Sequence, residues 1–171
     1  RRKRSKDEYV EAISSSLEEV IRLSQVVNNL LEISRAESGQ ATMKFDLVNI
    51  SKIAEDVCED LEIIADEKHI TLTSEIQEFV TLRGDSIRLH QVFLNIIDNA
   101  IKYSKNDSAV EICVDKLTKN AVITITDTGI GIDEKDLQNI FEPFYRGDVS
   151  RNKSTYEGFG LGLAIAKELV L

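Results

Sequence analysis

Gln91, Asn95, Asn99 and Lys102 follow one another at intervals of four, four and three residues. On a helix that spacing points all four side chains the same way. A solvated polar face is the default for such a row. The residue types weigh against it, because asparagine is a mediocre helix former whose amide competes for backbone bonds. Two amides ahead of a lysine suit a metal or phosphate site. An amide oxygen can ligate a hard cation, and a lysine can neutralise phosphate.

Two glycine-bearing runs lie downstream. From Asp127 to Ile132 the chain reads DTGIGI, directly after a predicted strand. Gly129 and Gly131 let the backbone pass close to a ligand, and Asp127 at the strand end could accept from an exocyclic amine. This is no dinucleotide fingerprint, since Glu134 stands where a third glycine is needed. From Gly158 to Leu163 the chain reads GFGLGL and leads into a helix. Gly158, Gly160 and Gly162 there would offer free N–H groups and a partial positive charge to an anion. The Lys-Ser/Thr ending of a P-loop is missing. Taken singly, each of the three features is as readily a turn or a surface as a site. Their order, with a glycine-, serine- and charge-rich stretch from Tyr145 to Gly160 between the last two, makes them a set.

The elements that must position these residues follow from periodicity. Lys6 to Glu37 contains no Gly or Pro, and Val10, Ile13, Leu17, Val20, Val27 and Leu31 fall on an alternating three–four spacing. That is the seam of a coiled coil or helical bundle, widened by Ile21, Leu23, Leu30 and Ile33. Such a helix needs a partner, either a second chain or the rest of this one. Thr42–Phe45 is predicted as a strand, Val48–Ala65 as an amphipathic helix, His69–Ile76 and Phe79–Leu82 as strands. Asp85 caps a helix reaching Tyr103. Ala109–Leu117 and Ala121–Thr126 form a hairpin, and Leu161–Leu171 a last helix. Helices mixed with hairpin-like strands predict an α+β fold, helices on one face of a mostly antiparallel sheet.

With 171 residues, 42% hydrophobic and 30% charged, the chain has room for one domain and an appendage and is too apolar for disorder. A net charge of −9 argues against nucleic acid as the main partner. No run approaches the roughly 20 apolar residues of a membrane helix. Cys58 and Cys113 lack metal-ligand spacing and read as free thiols in a reducing, cytoplasmic setting.

The string LNIIDNAIKYS, Leu94–Ser104, resembles the asparagine box of two-component sensor histidine kinases. DTGIGI resembles their first glycine motif. FEPFYRGD, Phe141–Asp148, is similar to their phenylalanine box, and GFGLGLAIAKE, Gly158–Glu168, to their second glycine motif. LLEISRAESG followed by FDLVNISKIAEDV resembles the junction between dimerisation helix and catalytic domain. The resemblance covers nearly the whole chain, and four ordered motifs at these intervals are specific.

It implies a two-layer α/β sandwich of the Bergerat (GHKL) type that binds ATP and Mg2+ at residues 40–171, preceded by a bundle helix at residues 1–39. By motif match, Asn99 is the magnesium ligand, with Asn95 facing the same phosphates. Lys102 contacts phosphate and Tyr103 the sugar or ring. Asp127 bonds the adenine amine, while Gly129, Gly131 and Ile132 shape the base pocket. Gly158, Gly160, Leu161, Gly162 and Leu163 close a lid over the phosphates. Phe141, Phe144 and Tyr145 anchor that lid, and Arg146 or Arg151 reaches the phosphates. The implied partners are a second copy of the chain and a response regulator receiver domain, with a membrane only through segments upstream.

Two departures stand out. The His-Glu acceptor motif is absent; His69 and His90 lie outside the bundle helix and read as structural. The acceptor helix is therefore expected upstream of Arg1, and a final sheet hairpin beyond Leu171. Asn95 also separates the histidine kinases from gyrase-like and chaperone ATPases, which place a glutamate there. A glutamate can act as general base on water, whereas an amide cannot take that proton at neutral pH. Asn95 thus points to transfer onto a protein acceptor, with hydrolysis as the lesser alternative. Asn95 and Lys102 are the residues expected to act in catalysis.

Overall fold

A computed structural model describes residues 5–37, 44–118, 120–147 and 158–170. The chain divides into two units, Arg1–Gln40 and Ala41–Leu171.

The first unit is helix α1, Lys6–Glu37. Its start is a capping box in which the Ser5 N–H donates to Glu8 Oε2 at 2.6 Å and the Glu8 N–H donates to Ser5 Oγ at 3.2 Å. Val10, Ile13, Leu17, Val20, Val27 and Leu31 are each 48–66% exposed, so the apolar seam is open to a partner. The Ile33 side chain lies outside the described residues.

The second unit holds β1 (Asp46–Asn49), α2 (Ile50–Glu67), β2 (Thr71–Ile76), β3 (Thr81–Gly84), α3 (Ser86–Tyr103), β4 (Ala109–Leu117), β5 (Asn120–Asp127) and α4 (Gly162–Val170). β2, β4 and β5 form one sheet in that order, β2 parallel to β4 (Thr71↔Ala109) and β4 antiparallel to β5 (Val110↔Asp127). β1 and β3 make a separate antiparallel pair, Val48 opposite Leu82.

One face of the sheet is dry. Val110, Ile112 and Val114 of β4 are fully buried, and Leu72, Ile76, Ala121, Ile123 and Ile125 pack beside them. α2 covers this face with Ile50, Ile53, Ala54, Val57, Leu61 and Ala65, and α3 with Phe93, Ile97, Ala100 and Ile101. The opposite face shows Glu111 and Thr126 to solvent. This is the α+β two-layer sandwich expected. Burying a side chain such as Ile97 contributes about 1.5–3 kcal/mol.

Several element boundaries differ from expectation, for local reasons. The strand expected at Thr42–Phe45 lies instead at Asp46–Asn49; Thr42 and Met43 are outside the described residues. The helix expected from Val48 starts at Ile50, because Val48 pairs with Leu82 and Asn49 is the N-cap, accepting from the Lys52 N–H at 3.3 Å. His69 and Phe79 adopt φ of 55° and 56°. Left-handed residues cannot continue a strand, so β2 and β3 begin two residues later than predicted. Buried Ser51 ties this second turn to α2, donating to Gln77 O at 2.6 Å and accepting from the Val80 N–H at 3.0 Å. No helix among the described residues is long and apolar enough to cross a membrane.

Candidate functional site

α3 is both a wall of the core and a wall of the site. Its buried residues face the sheet, while Asn99 and Tyr103 border a cavity of about 330 Å3. Asp85 sets its start, accepting from the Ile87 and Arg88 N–H groups at 3.1 and 3.2 Å. At its end, Lys68 of the α2–β2 turn donates to Ile101 O at 3.3 Å and Lys102 O at 3.1 Å, satisfying carbonyls that a helix terminus leaves free. Burial holds the Lys68 amine below the usual lysine range; the Asp98 charge opposes this and the Lys102 charge reinforces it.

The end of β5 and the turn after it complete the next side. Gly129 donates its N–H to Asp127 Oδ1 at 2.9 Å, and the Ile130 N–H donates to Tyr103 O at 3.1 Å. A Cβ on Gly129 would stand 2.5 Å from Tyr103 O, so no other residue fits this approach. Asp127 is thereby held at the cavity with its carboxylate exposed. Gly131 and Ile132 line the same space, followed by Asp133, Asp136 and Ile140, then Tyr145, Arg146 and Gly147. Leu163 of α4 closes it.

The two ends of the segment expected as a lid are fastened together. The Phe144 N–H donates to Gly160 O at 2.9 Å, and Arg146 Nη1 donates to Gly158 O at 3.2 Å. Gly160 has a φ of 69°, and a Cβ there would meet Tyr145 O at 2.5 Å. Gly162 lies beside the asparagines, with its Cβ direction 3.6 Å from both Asn95 Oδ1 and Asn99 Nδ2. Asn95 Nδ2 is buried and has no hydrogen-bond partner among the described residues. An unmatched buried donor is costly, and a ligand oxygen would satisfy it.

The family described as "Histidine kinase-, DNA gyrase B-, and HSP90-like ATPase" matches residues 84–171, half of the chain. The chain belongs to this ATPase family. Its relatives include the sensor-like histidine kinase SenX3 of Mycolicibacterium smegmatis, 34% identical over 86% of this chain and 38% of SenX3. The sensor protein IrlS of Burkholderia pseudomallei is 30% identical over 98% of this chain and 35% of IrlS. Among solved structures, Acinetobacter baumannii histidine kinase AdeS matches with a TM-score of 0.77 at 25% identity, covering 99% of this chain and 75% of that one. Full-length ShkA in complex with AMPPNP matches with a TM-score of 0.75 at 27% identity, over 99% of this chain and 34% of that one. The chain thus spans a little over a third of the curated relatives it matches. Its domain is an ATP-binding domain of the sensor histidine kinase type.

Within this ATPase domain the expected site residues fall into groups. Asn99, Tyr103, Asp127, Gly131, Ile132 and Leu163 line the cavity together. Gly129 and Gly160 stand behind its wall, where a close approach needs them small, and Gly162 sits at ordinary contact distance from Asn95 and Asn99. Leu161 is buried, at 2% exposure. Phe144 acts through its backbone, and its ring, like that of Phe141, is exposed. Lys102 is not on the wall; its ammonium pairs with Asp98 at 2.5 Å. Arg151 lies outside the described residues. The wall residues that sequence reasoning missed are Ile96, Ala100, Ile125, Ile130, Asp133, Asp136, Ile140 and Gly147. Ile125 and Ile130 flank the glycine turn and were within reach, but Asp136 sits in an acidic run that reads as surface.

No group of three or more His, Cys, Asp or Glu among the described residues could hold a metal. Magnesium does not require such a cage, since it is commonly held by one or two protein ligands together with waters and substrate phosphates. Asn99 on the wall, beside the unsatisfied Asn95 amide, fits a cation arriving with a polyphosphate.

Proposed function

We propose that this chain is the ATP-binding catalytic region of a protein-histidine kinase, transferring the γ-phosphate of ATP to a histidine outside residues 1–171. The observation that carries this is the shared cavity wall of Asn99 and Asp127, an amide for the phosphate end and a carboxylate for the base end. Asp127 accepts from the adenine amine, with Gly131 and Ile132 against the ring. Tyr103 lies along the sugar. Asn99 holds Mg2+ with the phosphates, Asn95 donates to a phosphate oxygen, and Lys102 turns from Asp98 towards the phosphates. The segment Gly158–Leu163 closes over them. Magnesium supplies charge neutralisation on the transferring group. The protein's own share is positioning and electrostatics, which dominate phosphoryl transfer. The ShkA structure, solved in complex with AMPPNP, supports an adenine nucleotide as the ligand class.

Asn95 supports transfer over hydrolysis, because its amide is no base for water. The exposed seam of α1 supports pairing with a second copy through residues 1–39, the catalytic domain occupying 40–171. The relatives' names as sensor proteins support a response regulator receiver domain as downstream partner.

The test mixes the chain with a separate histidine-bearing acceptor helix, Mg2+ and γ-labelled ATP. Acid-labile, alkali-stable label on the helix is the expected result. Steady phosphate release with no labelled helix would replace the kinase reading by hydrolysis, and absence of saturable ATP uptake would end both.

A further inference from the structure

Asp136 is the one buried carboxylate among the described residues, at 8% exposure. Burying a carboxylate is costly unless its oxygens find donors. Its Oδ1 accepts from the Tyr145 hydroxyl at 2.7 Å. Its Oδ2 lies 2.6 Å from where a Cβ on Gly147 would stand, so the backbone at 147 runs close against the carboxylate. The Asp136 main chain is itself fixed, its N–H donating to Asp133 O at 2.8 Å and its carbonyl accepting from the Asn139 N–H at 2.8 Å. The carboxylate therefore joins the start of the segment after the DTGIGI turn to Tyr145, nine residues on, and to the backbone at Gly147. Both partners lie on the wall of the cavity that Asn99 and Asp127 share.

What the latch holds is directional. Tyr145 stands between Phe144, whose N–H donates to Gly160 O, and Arg146, whose Nη1 donates to Gly158 O. Those two bonds set the course of the second glycine segment into α4, where Gly162 lies against Asn95 and Asn99. The Asp127 side is built separately, from the Gly129 N–H on Asp127 Oδ1 and the Ile130 N–H on Tyr103 O. We infer that Asp136 is a positioning residue for the phosphate-binding half of the site, acting through the Tyr145 hydroxyl on Arg146 and the Gly158–Gly162 segment. This rests on the nucleotide reading proposed above.

The experiment is calorimetric titration of the 171-residue chain with Mg-ATP and, separately, with adenosine. It compares wild type, Tyr145→Phe, Asp136→Ala, Asp136→Asn and the double variant Tyr145→Phe/Asp136→Ala. Tyr145→Phe and Asp136→Ala are each expected to weaken Mg-ATP on the order of tenfold, the scale of a lost hydrogen bond to a charged group. Adenosine affinity stays within about twofold of wild type in both. The double variant is no worse than either single one, as members of one contact require. Asp136→Asn keeps an acceptor for the hydroxyl and recovers most of the loss. Tyr145→Phe removes only a hydroxyl, so it carries the test if Asp136→Ala fails to fold. Equal losses for ATP and adenosine, or wild-type ATP binding by folded Tyr145→Phe, overturn the assignment while the nucleotide site stands. A wild-type chain that takes up neither ligand overturns the nucleotide reading and this inference together.

Discussion

Lys102 Nζ lies 2.5 Å from Asp98 Oδ2, one helical turn earlier on α3. The lysine that the sequence assigns to phosphate is thus held by a carboxylate of its own helix, both side chains about one-third exposed (34% and 27%). Lys68 Nζ bonds the carbonyls of Ile101 and Lys102 at the same helix end, so two cations share one nearby anion there. A phosphate must compete with Asp98 for Lys102.

Removing the competitor should tighten binding. Asp98→Asn is expected to raise Mg-ATP affinity on the order of two- to fivefold, the range of partly exposed ion pairs. Lys102→Ala should lower it. Isothermal titration at low and moderate salt checks both, and the gain should shrink as salt screens the charges. No gain in Asp98→Asn would mean that Lys102 does not reach the nucleotide.

Asn99→Ala should abolish the magnesium-dependent part of nucleotide binding while leaving the fold in place. Asn99 lies on the cavity wall, whereas its neighbours Ile97 and Ile101 carry the core. Titrating ATP with and without Mg2+ measures the difference, and a thermal melt without ligand verifies the fold. Magnesium-dependent affinity equal to wild type would remove Asn99 from its assigned role.

Gly129 and Gly131 should respond differently to alanine. At Gly129 the new methyl meets Tyr103 O at 2.5 Å, a backbone atom that cannot turn aside. Gly129→Ala should cost about 1–3 kcal/mol and displace Asp127, weakening adenosine as well as ATP. At Gly131 there is open space but a φ of 70°, so Gly131→Ala should cost only about 1 kcal/mol of backbone strain. Denaturant melts and adenosine titration of the two variants separate these outcomes.

Asp85 gives a pH test of the cap on α3. Its carboxyl is held below the usual range, first by the Lys44 N–H at 3.1 Å, with burial opposing, and then by the Arg88 and Ile87 N–H groups. A depressed carboxyl stabilises the fold fully above its unfolded pKa of about 4 and loses that contribution as pH falls through the folded value. Asp85→Ala should therefore cost about 1 kcal/mol at neutral pH. The gap between variant and wild type should narrow below about pH 4, as urea melts at pH 7 and pH 3 would record. A gap that is the same at both values would contradict the charged cap.

The limits of β4 and of α1 were legible from the residues alone, because alternating Val110, Ile112 and Val114 and the three–four row of α1 each admit one periodicity. The starts of β2 and β3 were not, since nothing in the types His69 and Phe79 announces a left-handed backbone; the turns that enforce it are tertiary. At the site, Asn99, Asp127 and the glycines were readable because amides in a helical row and glycines after a strand are unusual. Asp136 was hidden by its acidic neighbours, and its burial follows from Tyr145 folding back on it. Lys102 shows the converse, a residue expected to face phosphate whose ammonium goes to Asp98, a neighbour the row did not include.

The parallel pairing of β2 with β4 joins Thr71 to Ala109, and all of β3 and α3 lies between them. Such a distant pairing comes late, because the intervening chain must be ordered before the contact repays it. Asn99 and Tyr103 ride on that intervening helix, and Asp127 arrives only when β5 zips onto β4. A half-assembled chain would therefore own every helix yet present no ledge for a ligand, which makes nucleotide uptake a gauge of whether the last strands have closed.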